Sequence, residues 1–186
     1  MTSPDILKSL RGYRLAVYAV LLAGMPVGSS ADTPASEYAV KAAIVFKIAK
    51  FVYWPETEHS SNNDVLSICL PENDPIGPSI DALRGEIIHG RRIEVQRLSA
   101  VKSVTTDCEI LYLSRPSADR HGALLDRISK SPVLTIGDGG NFIDSGGIIA
   151  LEVKQSRVQF AINIRASQRA GLDISAQLLQ LATIKD

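Results

Sequence analysis

Residues 108–136 read CEILYLSRPSADRHGALLDRISKSPVLTI, and this stretch decides the fold class. The apolar run Cys108–Leu113 predicts a strand. The next segment, Ala118–Ser129, has apolar residues on one side of a helical pattern, and Pro132–Ile136 then predicts a buried strand. Strands that alternate with helices are typical of an α/β domain, in which helices cover a sheet.

The same alternation extends toward the N-terminus of the chain. Val65–Leu70 predicts a short apolar strand, and Ile76–Leu83 predicts a short helix that ends before Gly85. Glu86–Leu98 predicts a hairpin whose bend lies near His89 and Gly90. These elements add strands to the predicted sheet.

The C-terminal third predicts a second hairpin and a closing helix. A polar turn separates two predicted strands, Ile148–Val153 and Val158–Ile164. In the second strand, large apolar side chains alternate with polar or small ones. Ser175–Ile184 has an apolar helical side. Helices, parallel strands and an antiparallel hairpin together predict one layered α/β domain, with a mixed sheet flanked by helices.

A long helix is predicted over Glu37–Trp54, before the first strand of that alternation. A second apolar stripe, formed by Ile44, Ile48 and Phe51, widens its face beyond that of a surface helix. Such a helix is either heavily buried or uses part of its face to contact a partner. Ile44, Ile48, Phe51 and Trp54 are therefore the candidate partner-binding residues, and core packing is the competing interpretation.

Residues 1–31 have the pattern of a secretory signal peptide that is cleaved before Asp32. Basic residues precede the apolar stretch Leu15–Val27, and Ser29 and Ala31 provide small side chains at the cut site. The apolar stretch is shorter than the ~20 residues that a membrane-spanning helix needs, although a retained anchor helix is the alternative. We therefore expect an exported domain over residues 32–186 that is not inserted in the membrane.

Charge and cysteine content narrow the functional class further. The chain has 20 basic and 20 acidic residues, so no basic excess favours nucleic acid. Its two cysteines, Cys69 and Cys108, are interpreted first as a disulfide in an oxidising compartment, and buried free thiols are the alternative. A redox-active pair usually has a C-x-x-C spacing, which is absent from the sequence.

Motifs for catalysis, metals or cofactors are absent from the sequence. The three histidines are not spaced as metal ligands are, and no motif for a catalytic nucleophile occurs. We therefore predict a protein that is not an enzyme and has no cofactor. The glycine-rich segment 137–141 favours a turn over a phosphate site. If a small-molecule pocket exists, Asp138, Asn141 and Phe142 are its candidate residues.

Residues 42–55, AAIVFKIAKFVYWP, resemble the opening of the YfiR-like family. Further similar segments follow in the family's order over nearly the whole of residues 32–186. They are Ile68–Leu70, Asp74–Gly77, Gly90–Ile93, Asp107–Ser114, Val133–Asp138, Phe142, Gly146–Ile149, Val158–Asn163, Ala170–Ser175 and Leu178–Leu179.

This resemblance implies a periplasmic regulatory protein without catalysis. It implies binding to the periplasmic domain of an inner-membrane diguanylate cyclase, whose repression lowers cyclic di-GMP and limits biofilm formation. Cys69 and Cys108 match the family's paired cysteines, which implies a structural disulfide. A symmetric homodimer is compatible with such a regulator, although no residue pattern fixes an interface. The alternative is a periplasmic small-ligand sensor that acts on another membrane signalling protein, such as a sensor kinase.

Overall fold

The structure is a computed structural model that describes residues 34–56, 64–99, 108–114, 122–139, 141–154 and 157–185. By internal contacts the chain divides into two units, Met1–Ala31 and Asp32–Asp186. All of the described residues belong to the second unit. The expected signal peptide, residues 1–31, lies outside the described residues.

Short helices and strands alternate along the described residues. The helices are α1 (Pro34–Ala49), α2 (Gly77–Asp81), α3 (Gly122–Ile128), α4 (Asn141–Asp144), α5 (Ile164–Arg169) and α6 (Ala176–Leu181). The strands are β1 (Val52–Tyr53), β2 (Val65–Pro71), β3 (Ile87–Ile88), β4 (Arg91–Leu98), β5 (Ile110–Leu113), β6 (Leu134–Asp138), β7 (Ile149–Lys154), β8 (Arg157–Asn163), β9 (Asp173–Ile174) and β10 (Thr183–Lys185). No helix among these residues is both long enough and apolar enough to cross a bilayer.

Eight of these strands form one mixed sheet in the order β10-β8-β7-β6-β5-β2-β4-β3. The central strands are parallel, while β7–β8 and β3–β4 are antiparallel hairpins. The predicted α/β class with a mixed sheet is therefore confirmed, and both predicted hairpins are present.

Helices cover both faces of the sheet, because its central strands are buried on both sides, as in β5 and β6, where every residue is buried. On one face, residues of α1, α2, α5 and α6 pack against Ile68 and Leu70 of β2 in a large apolar cluster. On the other face, α3 and α4 pack in a second cluster with Leu111 and Leu113 of β5. The sheet therefore lies between two apolar layers.

The first helix ends earlier than its sequence pattern predicts. The prediction extends to Trp54, but α1 ends at Ala49 because a distant segment competes for the following backbone. Val52 and Tyr53 pair with Ile174 and Asp173 as an antiparallel β1–β9 ribbon. The Ser175 N–H also donates to the Phe51 carbonyl at 2.9 Å. Tertiary pairing therefore overrides a continuous apolar period.

The C-terminal segment also differs from its prediction, which is a helix over Ser175–Ile184. The helix α6 ends at Leu181, and Thr183–Lys185 pair in parallel with Ala161–Asn163 of β8. A further helix, α5, begins directly after β8, because the Asn163 side chain accepts a hydrogen bond from the Ala166 N–H at 2.9 Å. Asparagine is a favoured residue at this capping position.

Candidate functional site

The four predicted partner-binding residues lie at different depths. Ile48 is only 1% exposed and belongs to the large apolar cluster, so it offers no surface to a partner. Ile44, Phe51 and Trp54 are half-buried against the same cluster. Of the four, Trp54 is the residue that lines an open cleft.

Trp54 is fixed by a hydrogen bond to the residue between Cys108 and β5. Its indole N–H donates to the backbone carbonyl of Glu109, 3.2 Å away. The Glu109 carboxylate in turn accepts from the N–H of Ser67 at 2.8 Å and from its hydroxyl at 2.5 Å. It also forms an ion pair with the guanidinium of Arg91. One glutamate therefore links Trp54 to β2 and β4.

The cleft beside Trp54 has a volume of about 510 Å³ and mixes aromatic, charged and aliphatic surface. It is lined by Tyr53, Trp54, Pro55, Glu56, Leu66, His89 and Arg91. Tyr53 is 49% exposed, and its ring centroid lies 4.8 Å from that of His89 at an interplanar angle of 36°. His89 occupies the bend of the β3–β4 hairpin with a φ of 52°.

Aromatic and arginine side chains that are held in place at an open cleft are the kind that dominates protein–protein binding energy. Ordering costs are small for Trp54 because its hydrogen bond already fixes it. Among the described residues, no group of three or more His, Cys, Asp or Glu side chains lies close enough to hold a metal ion. The geometry of this cleft therefore suits recognition of a protein surface.

A buried ionic cluster joins α1 to the end of β6. The ammonium of Lys41, whose residue is 5% exposed, lies 3.0 Å from the Asp138 carboxylate and 2.6 Å from Glu37. The Tyr112 hydroxyl donates to the second carboxylate oxygen of Asp138 at 2.8 Å. Each buried polar group of the cluster thereby has a partner.

The pKa values of two members reflect these contacts. Burial alone would lower the pKa of Lys41, but its hydrogen bonds to Glu37 and Asp138 outweigh burial and raise that pKa. Burial and the adjacent Asp138 carboxylate raise the pKa of the Tyr112 hydroxyl well above its usual value. The cluster therefore holds Lys41 charged and Tyr112 neutral.

Sequence reasoning did not identify Lys41 as a buried residue. A signal was present, since Lys41 is spaced by four residues from Val45 and by seven from Ile48, both fully buried. Residues at that spacing share one helix face. Its partner Asp138 is 97 positions away, so the sequence alone does not pair them.

The three predicted ligand-pocket residues do not form one pocket. Asp138 is committed to Lys41 and Tyr112, and Phe142 is 1% exposed in the second apolar cluster. Asn141 is exposed and lines a separate groove of about 290 Å³ on the face of β7, β8 and β10. In the glycine-rich segment, Gly137 and Asp138 end β6, Gly140 lies outside the described residues, and the Phe142 N–H donates to the Gly139 carbonyl at 3.2 Å.

Phe142 is enclosed by two glycines. A Cβ atom built on Gly137 would lie 2.5 Å from the phenyl ring, and one built on Gly147 would lie 2.2 Å from it. Real side chains essentially never approach so closely. Glycine at both positions therefore lets the ring lie directly against β6 and the turn before β7.

Cys69 and Cys108 form a disulfide, with their Cα atoms 5.8 Å apart. Both residues are buried in the second apolar cluster. The bond joins β2 to Cys108. The next residue in the chain is Glu109, whose carbonyl accepts the hydrogen bond from Trp54. The free-thiol alternative does not describe this structure.

Comparison with known proteins gives a family and a related fold. A family model described as YfiR/HmsC-like matches residues 38–183. A solved structure described as a conserved domain protein from Vibrio cholerae O1 biovar El Tor is similar, with a TM-score of 0.52 and 11% identity over 80% of this chain. The chain spans 60% of the length of that solved chain, and the likeness at this identity concerns the fold alone. Comparison with curated proteins gives no match.

Proposed function

Because the chain belongs to the YfiR/HmsC-like family of periplasmic regulators, we propose that it binds and represses a membrane-bound diguanylate cyclase. Its contact would be the cyclase's periplasmic domain, and repression would lower cyclic di-GMP and biofilm formation. The proposal includes export by residues 1–31 as a cleaved signal peptide and a role without catalysis. The observation that carries it is the family match across residues 38–183.

The proposed mechanism is a shift between two cyclase states. A regulator can shift such an equilibrium only if it binds one state more tightly than the other. We propose that the regulator favours the state in which the cytoplasmic domains of the cyclase do not pair productively. Repression then requires no chemical step by the regulator.

We assign this contact to the cleft beside Trp54. Tyr53 is half-exposed and its ring packs against His89, while Trp54 is fixed by its hydrogen bond to Glu109. Large aromatic side chains at a site that excludes water carry a disproportionate share of binding energy. We therefore propose that Tyr53 and Trp54 contact the partner and that the buried Ile48 does not.

A pull-down tests this proposal. The tagged protein, expressed as the full chain and exported, is recovered from gently solubilised inner membranes, and bound proteins are identified by mass spectrometry. We expect a diguanylate cyclase with a periplasmic domain, and we expect Tyr53→Ala to reduce its recovery at least tenfold. Val40→Ala is the matched control, because Val40 is 46% exposed on α1 away from the cleft. Equal recovery by both variants would remove the cleft from the proposal, and recovery of no cyclase would overturn it.

A second candidate function is supported by the groove beside Asn141. Ala150 and Ala161, which are directly paired across β7 and β8, form part of its lining, and polar side chains surround them. A pocket of this size suits a small polar molecule that would regulate another membrane signalling protein, such as a sensor kinase. Thermal unfolding with nucleotides and amino acids tests it, since a ligand that binds the folded state raises the melting temperature. No shift at millimolar ligand would argue against this sensor.

A further inference from the structure

The parallel strands of the sheet change their winding direction between β2 and β5. After β2 the chain runs to β4 on one side of β2, and it then passes to β5 on the other side and continues outward to β6 and β7. These strands are parallel, so their carboxyl ends lie at one edge of the sheet. In open α/β sheets, ligands bind beyond the carboxyl ends of the strands at such a switch point.

Two polar residues meet at this switch point, Asp74 in the segment after β2 and Ser114 directly after β5. The Ser114 backbone N–H donates to one oxygen of the Asp74 carboxylate at 3.1 Å, and the Ile76 N–H donates to the other at 3.2 Å. Asp74 is 5% exposed and Ser114 is 1% exposed. The two strand ends are therefore joined by a buried carboxylate.

The side chain of Ser114 has no hydrogen bond of its own. Within the part of the chain that the structure describes, its hydroxyl is the only buried side-chain polar atom without a hydrogen-bond partner. A buried hydroxyl that stays unpaired costs free energy, and native proteins pair nearly all such groups with protein atoms or with ordered water. This orphaned hydroxyl therefore points to a ligand at the switch point.

The surroundings of the hydroxyl are polar. Side chains two residues apart on a strand point to the same face, so Ser114 continues the side of β5 from which the Tyr112 hydroxyl reaches Asp138. Burial, then Asp138 and then Asp74 raise the pKa of the Tyr112 hydroxyl, so both carboxylates lie within electrostatic reach of it. An apolar ligand does not suit such a site, whereas a small polar one does.

We propose that the switch point binds a water molecule, which accepts a hydrogen bond from the Ser114 hydroxyl and donates one to the Asp74 carboxylate. An ionised carboxylate only accepts hydrogen bonds and has about four lone-pair sites, so Asp74 keeps acceptor capacity beyond its two N–H bonds. The N–H that already binds Asp74 belongs to the same residue as the hydroxyl, so one water can bridge the two side chains. The water thus pairs the orphaned hydroxyl and joins the ends of β2 and β5 a second time.

The melting temperature of Ser114→Ala tests the proposal by its sign. With the water bound, the variant removes one of the hydrogen bonds that hold it, and we expect the melting temperature to fall by about 2–5 °C. If the hydroxyl is simply unpaired, its removal raises the melting temperature instead, which would overturn the proposal. Thr135→Val is the matched control for a paired buried hydroxyl, since Thr135 accepts from the Ile148 N–H at 2.9 Å, and it should lower the melting temperature.

A high-resolution crystal structure of the purified, exported protein tests the position of the ligand. We expect an ordered water within about 3 Å of both the Ser114 hydroxyl and the Asp74 carboxylate. A protein atom paired with the hydroxyl at that place would overturn the proposal.

Melting temperatures in ammonium chloride and sodium chloride of equal ionic strength distinguish water from a bound cation. We expect equal values, because water needs neither salt. A higher value in one salt that Asp74→Asn abolishes would identify a cation at the switch point, and would likewise overturn the proposal.

Discussion

The indole N–H of Trp54 donates a hydrogen bond to the backbone carbonyl of Glu109, the residue that follows the disulfide-bonded Cys108. The contact joins the segment after α1 to the residue just before β5, across 55 positions of sequence. The side chain of the same glutamate holds Ser67 and Arg91. Trp54, which lines the cleft, is therefore bonded to a residue that is itself held by the adjacent disulfide and by charge-assisted hydrogen bonds.

Glu109→Ala should destabilise the protein by about 2 kcal/mol, because the change leaves the Ser67 N–H and the Arg91 guanidinium without this acceptor in a partly buried site. The free energy of unfolding from urea titration at pH 7 measures it. Glu152→Ala is the matched control, since the pair that Glu152 forms with the exposed Lys154 should contribute within ~0.5 kcal/mol. Equal effects of the two changes would contradict the anchoring role of Glu109.

Lys41→Met should cost about 3–5 kcal/mol, because it leaves the Asp138 carboxylate buried without its counter-ion. Adding Asp138→Asn should recover part of this loss, since the remaining charge is then removed. Urea titration of both variants checks the prediction. Lys47→Met, at an exposed position of α1, should change stability by no more than ~0.5 kcal/mol.

Stability should fall as the pH rises above about 10, the range in which unfolded tyrosine and lysine lose their protons. Both Tyr112 and Lys41 have raised pKa values in the fold, so the folded state keeps its protons when the unfolded state releases them. Their contribution is fully present below the unfolded pKa values and is lost as pH rises above them. Tyr112→Phe should flatten the dependence of the free energy of unfolding between pH 9 and 11. An unchanged slope would contradict the assignment.

Gly147→Ala should destabilise the protein by more than about 2 kcal/mol, because the added methyl group would overlap the Phe142 ring. Gly137→Ala should act in the same direction for the same reason. The melting temperature measures both changes. Gly122→Ala is the control, since a Cβ atom there meets no neighbour within 4 Å and alanine favours a helix. A similar loss from all three variants would contradict the packing argument.

The strands and hairpins of this fold were predictable because their signal is local. Val65–Leu70 and Cys108–Leu113 are apolar runs of strand length, and the polar bend at His89 separates two alternating segments. Val52 and Ile184 were predicted to be helical but lie in strands, since the segments with which they pair, β9 and β8, are distant in sequence. The spacing of apolar residues in a segment does not show which distant strand will pair with that segment.

The candidate site was only partly predictable for the same reason. Trp54 stands out by its residue type, and the cysteine pair by the expected compartment. The roles of Glu109 and Lys41 depend on partners in other strands, so neither residue has a distinctive local pattern. His89 is an ordinary turn residue until the fold places it over Tyr53.

The enclosure of Phe142 by Gly137 and Gly147 also limits how this chain can diverge. Either glycine can gain a side chain only after the ring at position 142 has become smaller, because both approaches are too close for a Cβ atom. We therefore expect an exchange of either glycine alone to be selected against, and the same exchange together with a smaller residue at 142 to be tolerated. In an alignment of relatives, large residues at 142 should occur together with glycine at 137 and 147, and alanine at either of these positions should accompany a smaller residue at 142.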